Sequence, residues 1–289
     1  MAANTSYASR GYRVRKLKSD VMMAVTVGAT VLTLVPLFLV LGYLLVKGAS
    51  SLNWAFFTHM PTPVGEKGGG VANAIIGTLE VVGVASLIGI PLGIGAGLYL
   101  AEHRGHRLSH GIRFAADVIM GVPSIVVGMF AYAVLVRPLG RFSALSGAIA
   151  LAFIMIPLVT RTTEEMILLV PHELREASLA LGVPQWKTSL SIVVRTALSG
   201  IATGIILAIA RVAGETAPLL FTAFGNRFWS TSLVQPIATL TVQVYTYAIS
   251  PFADWQRQAW AGALVLTAIV LALELGVRWV TREPAKTVV

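Results

Sequence analysis

Six stretches of the chain run almost free of charge for 17 residues or more: about 21–46, 74–100, 113–136, 144–160, 196–221 and 259–280. A helix crosses the hydrocarbon core of a bilayer in about 20 apolar residues. In that medium every backbone N–H and C=O must be paired within the structure, which leaves helices or closed barrels. Barrel strands are about ten residues long and alternate in polarity, whereas these runs are continuous and longer. The sequence therefore predicts an all-α fold, a polytopic membrane protein with six transmembrane helices. Of the 289 residues, 12% are charged, against roughly 25% in a soluble domain. An apolar content of 56% excludes intrinsic disorder. With no cysteine in the chain, disulfide frameworks and Cys-ligated metals are excluded as well.

The first run follows a basic stretch (Arg10, Arg13, Arg15, Lys16, Lys18), as a secretory signal would. Its 26 uncharged residues exceed the about 7–15 of a signal's apolar region, so an uncleaved spanning helix is expected. Six spans put both termini on one side. The N-terminal segment, the 101–113 and 161–195 loops and the C-terminal end carry 15 Lys and Arg. The opposite loops carry six: Lys47, Lys67, Arg137, Arg141, Arg227 and Arg257. The positive-inside rule puts the first set, and both termini, in the cytoplasm. The net charge of +9 then reflects topology and anionic lipid. Nucleic-acid binding would need a basic soluble domain, and none is present. The predicted organisation is a cytoplasmic segment 1–20, a transmembrane domain 21–280 with a cytoplasmic loop at 161–195, and a cytoplasmic tail 281–289.

Two outer segments are expected. One, 47–73, holds Pro61, Pro63 and Gly68-Gly69-Gly70, with an interfacial stretch around Trp54, Phe56 and Phe57. The other, 222–258, holds Trp229, Tyr245, Tyr247 and Trp255, which read as an aromatic belt. The inner loop 161–195 is rich in helix formers. Pro171 stands where a helix can begin and Gly182 where one can end, so a short helix is expected at about 172–181, with Pro184 opening another. Leu174, Ala177 and Leu181 fall on one face of it. Its mixed charges (Glu173, Arg175, Glu176) suit a protein partner better than a lipid surface, where such helices are cationic.

Arg211 and Glu215 stand four apart in what reads as one apolar helix, hence on one face. An arginine at mid-membrane costs about 2.5–3.5 kcal/mol on the insertion scale and must face protein or water. Either the pair knits the bundle internally, or it is functional. A guanidinium suits planar recognition of an oxyanion, with Glu215 orienting it. Thr216 follows, and Pro218 is expected to kink the helix near its outer end. Glu80 and Asp117 are single acids, open to a proton relay or to a polar face turned into the bundle; Asp117, near the inner boundary, reads as the latter. Gly89, Gly93 and Gly97 repeat every four residues inside an apolar span and read as close helix packing. No Walker motif occurs, so no ATP site is expected on this chain. His103, His106 and His110 lie in a basic inner loop; the spacing of the last two could hold a metal, but a lipid-facing loop explains them better. No plausible catalytic triad or carboxylate pair is present, so no enzyme is expected.

Glu176-Ala177-Ser178, Gly182 and Ile192 resemble the coupling loop of ABC-importer permeases, whose pattern is Glu-Ala-Ala, three residues, Gly, nine residues and Ile-x-Leu-Pro; Ser178, Val194 and Arg195 depart from it. More specific are Gly69-Gly70-Val71-Ala72-Asn73-Ala74 with Gly77-Thr78, the run Gly121–Gly128, the run Arg161–Met166, and the run Arg211–Pro218. Over about 20–280 these resemble the PstA family, the membrane subunits of phosphate importers. The resemblance implies the ABC type I importer permease fold in a bacterial inner membrane, with no cofactor on this chain and ATP-Mg on a partner ATPase. It implies a PstC-type sister permease completing the pore as a heterodimer. It also implies a PstB-type ATPase dimer gripping the 172–183 helix, and a PstS-type periplasmic binding protein delivering inorganic phosphate. The expected pathway residues are Arg211, Glu215, Thr216 and Arg161, the last at the inner mouth or simply a positive-inside residue. The expected coupling residues are Glu176, Ala177, Ser178 and Gly182. Alternatives are a permease for sulfate or molybdate, and a proton-coupled secondary transporter using Glu80 and Glu215, against which the 161–195 loop argues.

Overall fold

The computed structural model describes residues 4–63, 66 and 68–280. Among them are helices only, with no strand. Helix α1 (Asn4–Ala49) is continuous, running back through most of the segment expected to precede the first span. Its Pro36 is tolerated as prolines are in membrane helices. A short helix α2 (Trp54–Thr58) buries Phe56 at the expected interfacial stretch. Helix α3 (Ala72–Glu102) is the second span.

The third span is broken, where a continuous helix was expected over 113–136. α4 (Arg107–Gly121) and α5 (Ser124–Leu139) meet at a bend of 105°. Pro123 offers no N–H and biases the residue before it away from helix; Val122 accordingly sits extended at φ −76°, ψ 131°. The fourth span, α6 (Ala144–Leu168), is capped by Ser143 and runs two turns past its predicted end, so the 161–195 loop opens as helix. Then come α7 (His172–Ala180), the short helix predicted there, and α8 (Gln185–Ala213), which begins after Pro184 and passes through a π-turn at Ser189–Val193. The fifth span is also broken. α8 stops at Ala213 and α9 (Ala217–Thr222) restarts three residues on, with Pro218 in its first turn. Pro218 therefore opens a helix rather than kinking one. α10 (Leu240–Ala248) and the last span, α11 (Ala253–Val280), complete the chain. Among the described residues five helices are long and apolar enough to cross a membrane, and the bent α4–α5 pair makes a sixth crossing if taken as one span.

The core centres on α6. α3 lies along it through the predicted glycine stripe: a Cβ on Gly93 would sit 2.6 Å from Val159 Cβ, and one on Gly97 2.6 Å from the Thr160 carbonyl. Val81, Leu151, Met155, Val159 and Val212 join these helices to α8. A second cluster gathers Phe56, Val71, Ala74, Leu240 and Val265 around α10 and α11. The Gly69–Thr78 stretch ties together the connections that precede α3 and follow α9. Gly70 leaves room for the Ala55 carbonyl and Gly77 for that of Ala238. Asn73 Nδ2 donates to the Asn226 carbonyl (2.9 Å), and the Leu240 N–H donates to Thr78 Oγ1 (2.8 Å).

Candidate functional site

The two breaks face each other. Gly128 on α5 lets α9 come so close that a Cβ there would lie 2.7 Å from Pro218 Cα. Backbone that leaves the helix at membrane depth is tolerated only where protein or a water-filled cavity receives it. Here a cavity of about 80 Å³ is lined by Ile119, Val122 and Ser124 at the first break, by Ile154 and Leu158 of α6, and by Arg211 from the last turn of α8. Discontinuous membrane helices receive an anion at unwound backbone and at the N-terminus of a half-helix, here that of α5, and Arg211 brings a cation to the same cavity.

Glu215 does not pair with Arg211. The expectation that the two share a helix face fails because Gly214 ends α8, leaving Glu215 in the connection. Among the described residues no carboxylate lies within ion-pair distance of Arg211. The Glu215 carbonyl accepts from Thr241 Oγ1 (3.0 Å), tying the break to α10. Thr216 stands at the start of α9, where its carbonyl accepts from Leu220 N–H (3.1 Å).

Arg161 is differently placed. It donates through Nη1 to Glu164 Oε2 (3.0 Å) and pairs through Nε with Asp117 Oδ1 (3.2 Å). Glu164, its side chain 4% exposed, also accepts from Arg113 Nε (2.6 Å). Arg113 in turn donates to the Leu100 carbonyl at the end of α3 (3.0 Å). Two arginines and two carboxylates thus form a neutral network joining α3, α4 and α6; Asp117, expected to turn into the bundle, is instead exposed (its side chain 53% accessible) and reaches α6 only through Arg161. Glu164 and Arg113 escape the sequence reading. Glu164 lies within the Arg161–Met166 run, while nothing in the sequence signals that Arg113, 51 residues away, would meet it. Glu80 is half-buried. Among the described residues no cluster of three or more His, Asp or Glu could hold a metal.

The α7 helix presents the predicted face. Leu174, Ala177 and Leu181 are exposed, Leu181 at 84%, as is Glu176. A flank beside that face anchors the helix. Ser178 is buried and bonds Thr188 Oγ1 (2.8 Å), and Arg175 Nη1 meets Glu102 Oε1 at the end of α3 (2.5 Å). Gly182 has φ +80°, a left-handed turn that favours glycine, and closes the helix as expected.

A family model for the inner membrane component of binding-protein-dependent transport systems matches residues 89–284. The chain is 47% identical over 262 residues to the phosphate transport system permease protein PstA of Yersinia pestis, covering 90% of this chain and 89% of that one. The chain belongs to the PstA family of inner-membrane transport permeases. The PstA of Xylella fastidiosa (strain 9a5c) is 49% identical over 237 residues, 81% of this chain and 82% of that one. Among solved structures, the inward-facing MetNI methionine ABC transporter matches with a TM-score of 0.62 at 17% identity, over 73% of this chain and 94% of that chain. That likeness is one of fold, the ABC importer permease fold. As a PstA-family permease the chain is a multi-pass membrane protein, and the secondary-transporter alternative falls away. Two of the runs that carried the family resemblance, Gly121–Gly128 and Arg211–Pro218, are the two that meet at the breaks.

Proposed function

We propose that the chain is the permease subunit of an ATP-driven phosphate importer, with Arg211 at the break as the cation met by the anion in transit. The supporting observation is the position of Arg211 in the α4–α5 cavity without a carboxylate partner among the described residues. An anion passing the break replaces water around the guanidinium and accepts from it in a fork geometry that phosphate matches. Thr216 and Glu215 line the connection beyond it; the carboxylate limits how tightly the anion is held. Arg161 acts from its network, keeping α4 against α6 at the end nearer α7.

In this reading α7 faces the cytoplasm, as both termini do, and a PstB-type ATPase dimer carrying ATP-Mg docks on Glu176, Ala177, Leu181 and Gly182. Ser178 serves from the buried flank of the helix, holding it to α8. A PstC-type sister permease completes the pore and a PstS-type binding protein supplies phosphate from outside. Closure of the ATPases displaces α7 as a rigid body. α6 and α8 carry the displacement to the breaks, where α5 and α9 move together because Gly128 and Pro218 are in contact.

Arg211→Gln, in vesicles reconstituted with the complete transporter, is expected to abolish phosphate uptake while assembly stays intact. Unchanged uptake overturns the role of Arg211. Equal competition by sulfate or molybdate would move the substrate to a wider oxyanion class.

A further inference from the structure

At about 1.5 Å per residue, the 25 residues of α6 span roughly 37 Å. Leu168 leads from one end into α7. At the other end Ser143 N–H donates to the Thr222 carbonyl (3.0 Å) and Ala144 N–H to that of Gln235 (2.9 Å). The 222–239 segment therefore lies on the face away from α7. Between that segment, α9 and α10 is a cavity of about 390 Å³, inside the range of about 300–1,000 Å³ typical of small-ligand sites.

Its polar lining has an unusual feature. Thr239 is 1% and Gln243 9% exposed, yet among the described residues Thr239 Oγ1 has no hydrogen-bond partner and Gln243 Nε2 has no well-formed one, only a loose approach to the Tyr247 phenol. An unpaired buried donor costs about 1–3 kcal/mol, and Gln243 Nε2 is a donor only. Among the described residues of the lining, Arg227 is the only charged one. Its guanidinium lies 5.2 Å over the Trp255 ring, and Trp255 stacks on Tyr247 with ring centroids 4.7 Å apart, so one aromatic platform carries the cation and the phenol. Burial pushes the Tyr247 phenol above its ordinary range, against the pull of Gln243 and Arg227, so it keeps its proton at neutral pH. The wall also contains Phe224 at φ +64°, a left-handed conformation strained for a residue with a side chain and held by stacking on Phe142 (4.8 Å). A cation, buried donors in want of an acceptor and the absence of any carboxylate from the described lining select an anion. Along the chain, six-residue α9 joins the break after Arg211 to Phe224 of this lining.

We propose that this cavity is a receiving site for an inorganic oxyanion of the phosphate class, held by Arg227, Gln243 and Thr239 before it passes to the Arg211 break. The direction of passage rests on the importer reading; the binding chemistry does not. Because the chain has no cysteine, Thr246→Cys places a single thiol in the cavity lining. In membrane vesicles holding the full chain, a negatively charged methanethiosulfonate is expected to modify that thiol roughly tenfold faster than a positively charged one, since a basic cleft concentrates anions. Inorganic phosphate is expected to slow the reaction in proportion to its occupancy. Arg227→Gln in the same background should erase both effects, and Arg227→Lys should retain the charge preference. Equal rates for the two reagents, with no slowing by phosphate, overturn the site. Slowing by sulfate or molybdate but not phosphate keeps the site and sinks the phosphate reading. Normal phosphate uptake without protection of the thiol does the reverse.

Discussion

α1 and the 144–160 stretch of α6 are both uncharged over a length that suits a bilayer, and they differ in almost everything else. Of the most apolar stretch of α1, 6% is buried; of that of α6, 67%. α1 is the more apolar of the two. In lipid, a leucine gains little by exchanging an acyl chain for a neighbouring helix, and association depends on how closely backbones approach. α6 presents Ser146, Gly147, Ala148, Ala150 and Ala152, all buried. α1 is built largely of Val, Leu, Met and Phe; Gly28 and Gly42 meet nothing within 4 Å, and the helix docks on α11 through Gly48 and the Tyr43–Trp260 ring contact of 5.0 Å. Apolarity therefore decides residence in the membrane, and small side chains decide packing within it.

Substitutions can break or sharpen that contrast. The largest effect is expected at Glu164→Ala, which removes the buried acceptor shared by Arg113 and Arg161; opening a buried ion pair from one side costs about 3 kcal/mol or more. The melting midpoint of the detergent-solubilised chain should fall most for this variant. Gly93→Val drives a side chain into Val159 and is expected to cost about 1–3 kcal/mol, read from the same melting curve. Gly48→Val meets Leu264 and the Trp260 carbonyl near the end of α1 that docks on α11, and a smaller loss is expected there because a helix end can yield. Gly28→Leu should leave the midpoint unchanged or slightly raised, since leucine is the better helix former. If Gly28→Leu proved as damaging in the isolated chain as Gly93→Val, the contrast between the two helices would collapse.

The long apolar runs made the spans legible, and Gly89, Gly93 and Gly97 made one interface legible, because both signals are local and periodic. Pro171 and Gly182 likewise marked α7, and its apolar face at Leu174 and Leu181 lies open as the spacing implied. The breaks were harder to see. Val122-Pro123 sits inside an unbroken apolar run, so hydropathy reads straight through a bend that sterics impose. Gly214 and Pro218 were both visible, but whether a proline kinks a helix or starts one depends on where the preceding helix stops, and that is set by packing against α5. Arg211 stood out as a cation in an apolar run, and the sequence paired it with Glu215 on one helix face; the structure leaves the two unpaired with each other. That expectation fails because the i, i+4 relation holds only while the helix lasts. The Arg113–Glu164–Arg161–Asp117 network depends on tertiary proximity, and no spacing rule reaches that far along a chain.

The bond between Arg175 and Glu102 has a mechanical corollary. By chain connectivity α7 hangs from two struts, α6 and α8. The ion pair adds a third, α3, fastened at its C-terminal tip. A platform on two struts can twist about the line between them, whereas one on three tilts as a unit, so a push delivered to this small helix bears on a tripod of spans. The third leg is electrostatic, and Glu102→Gln would detach it without shortening any helix.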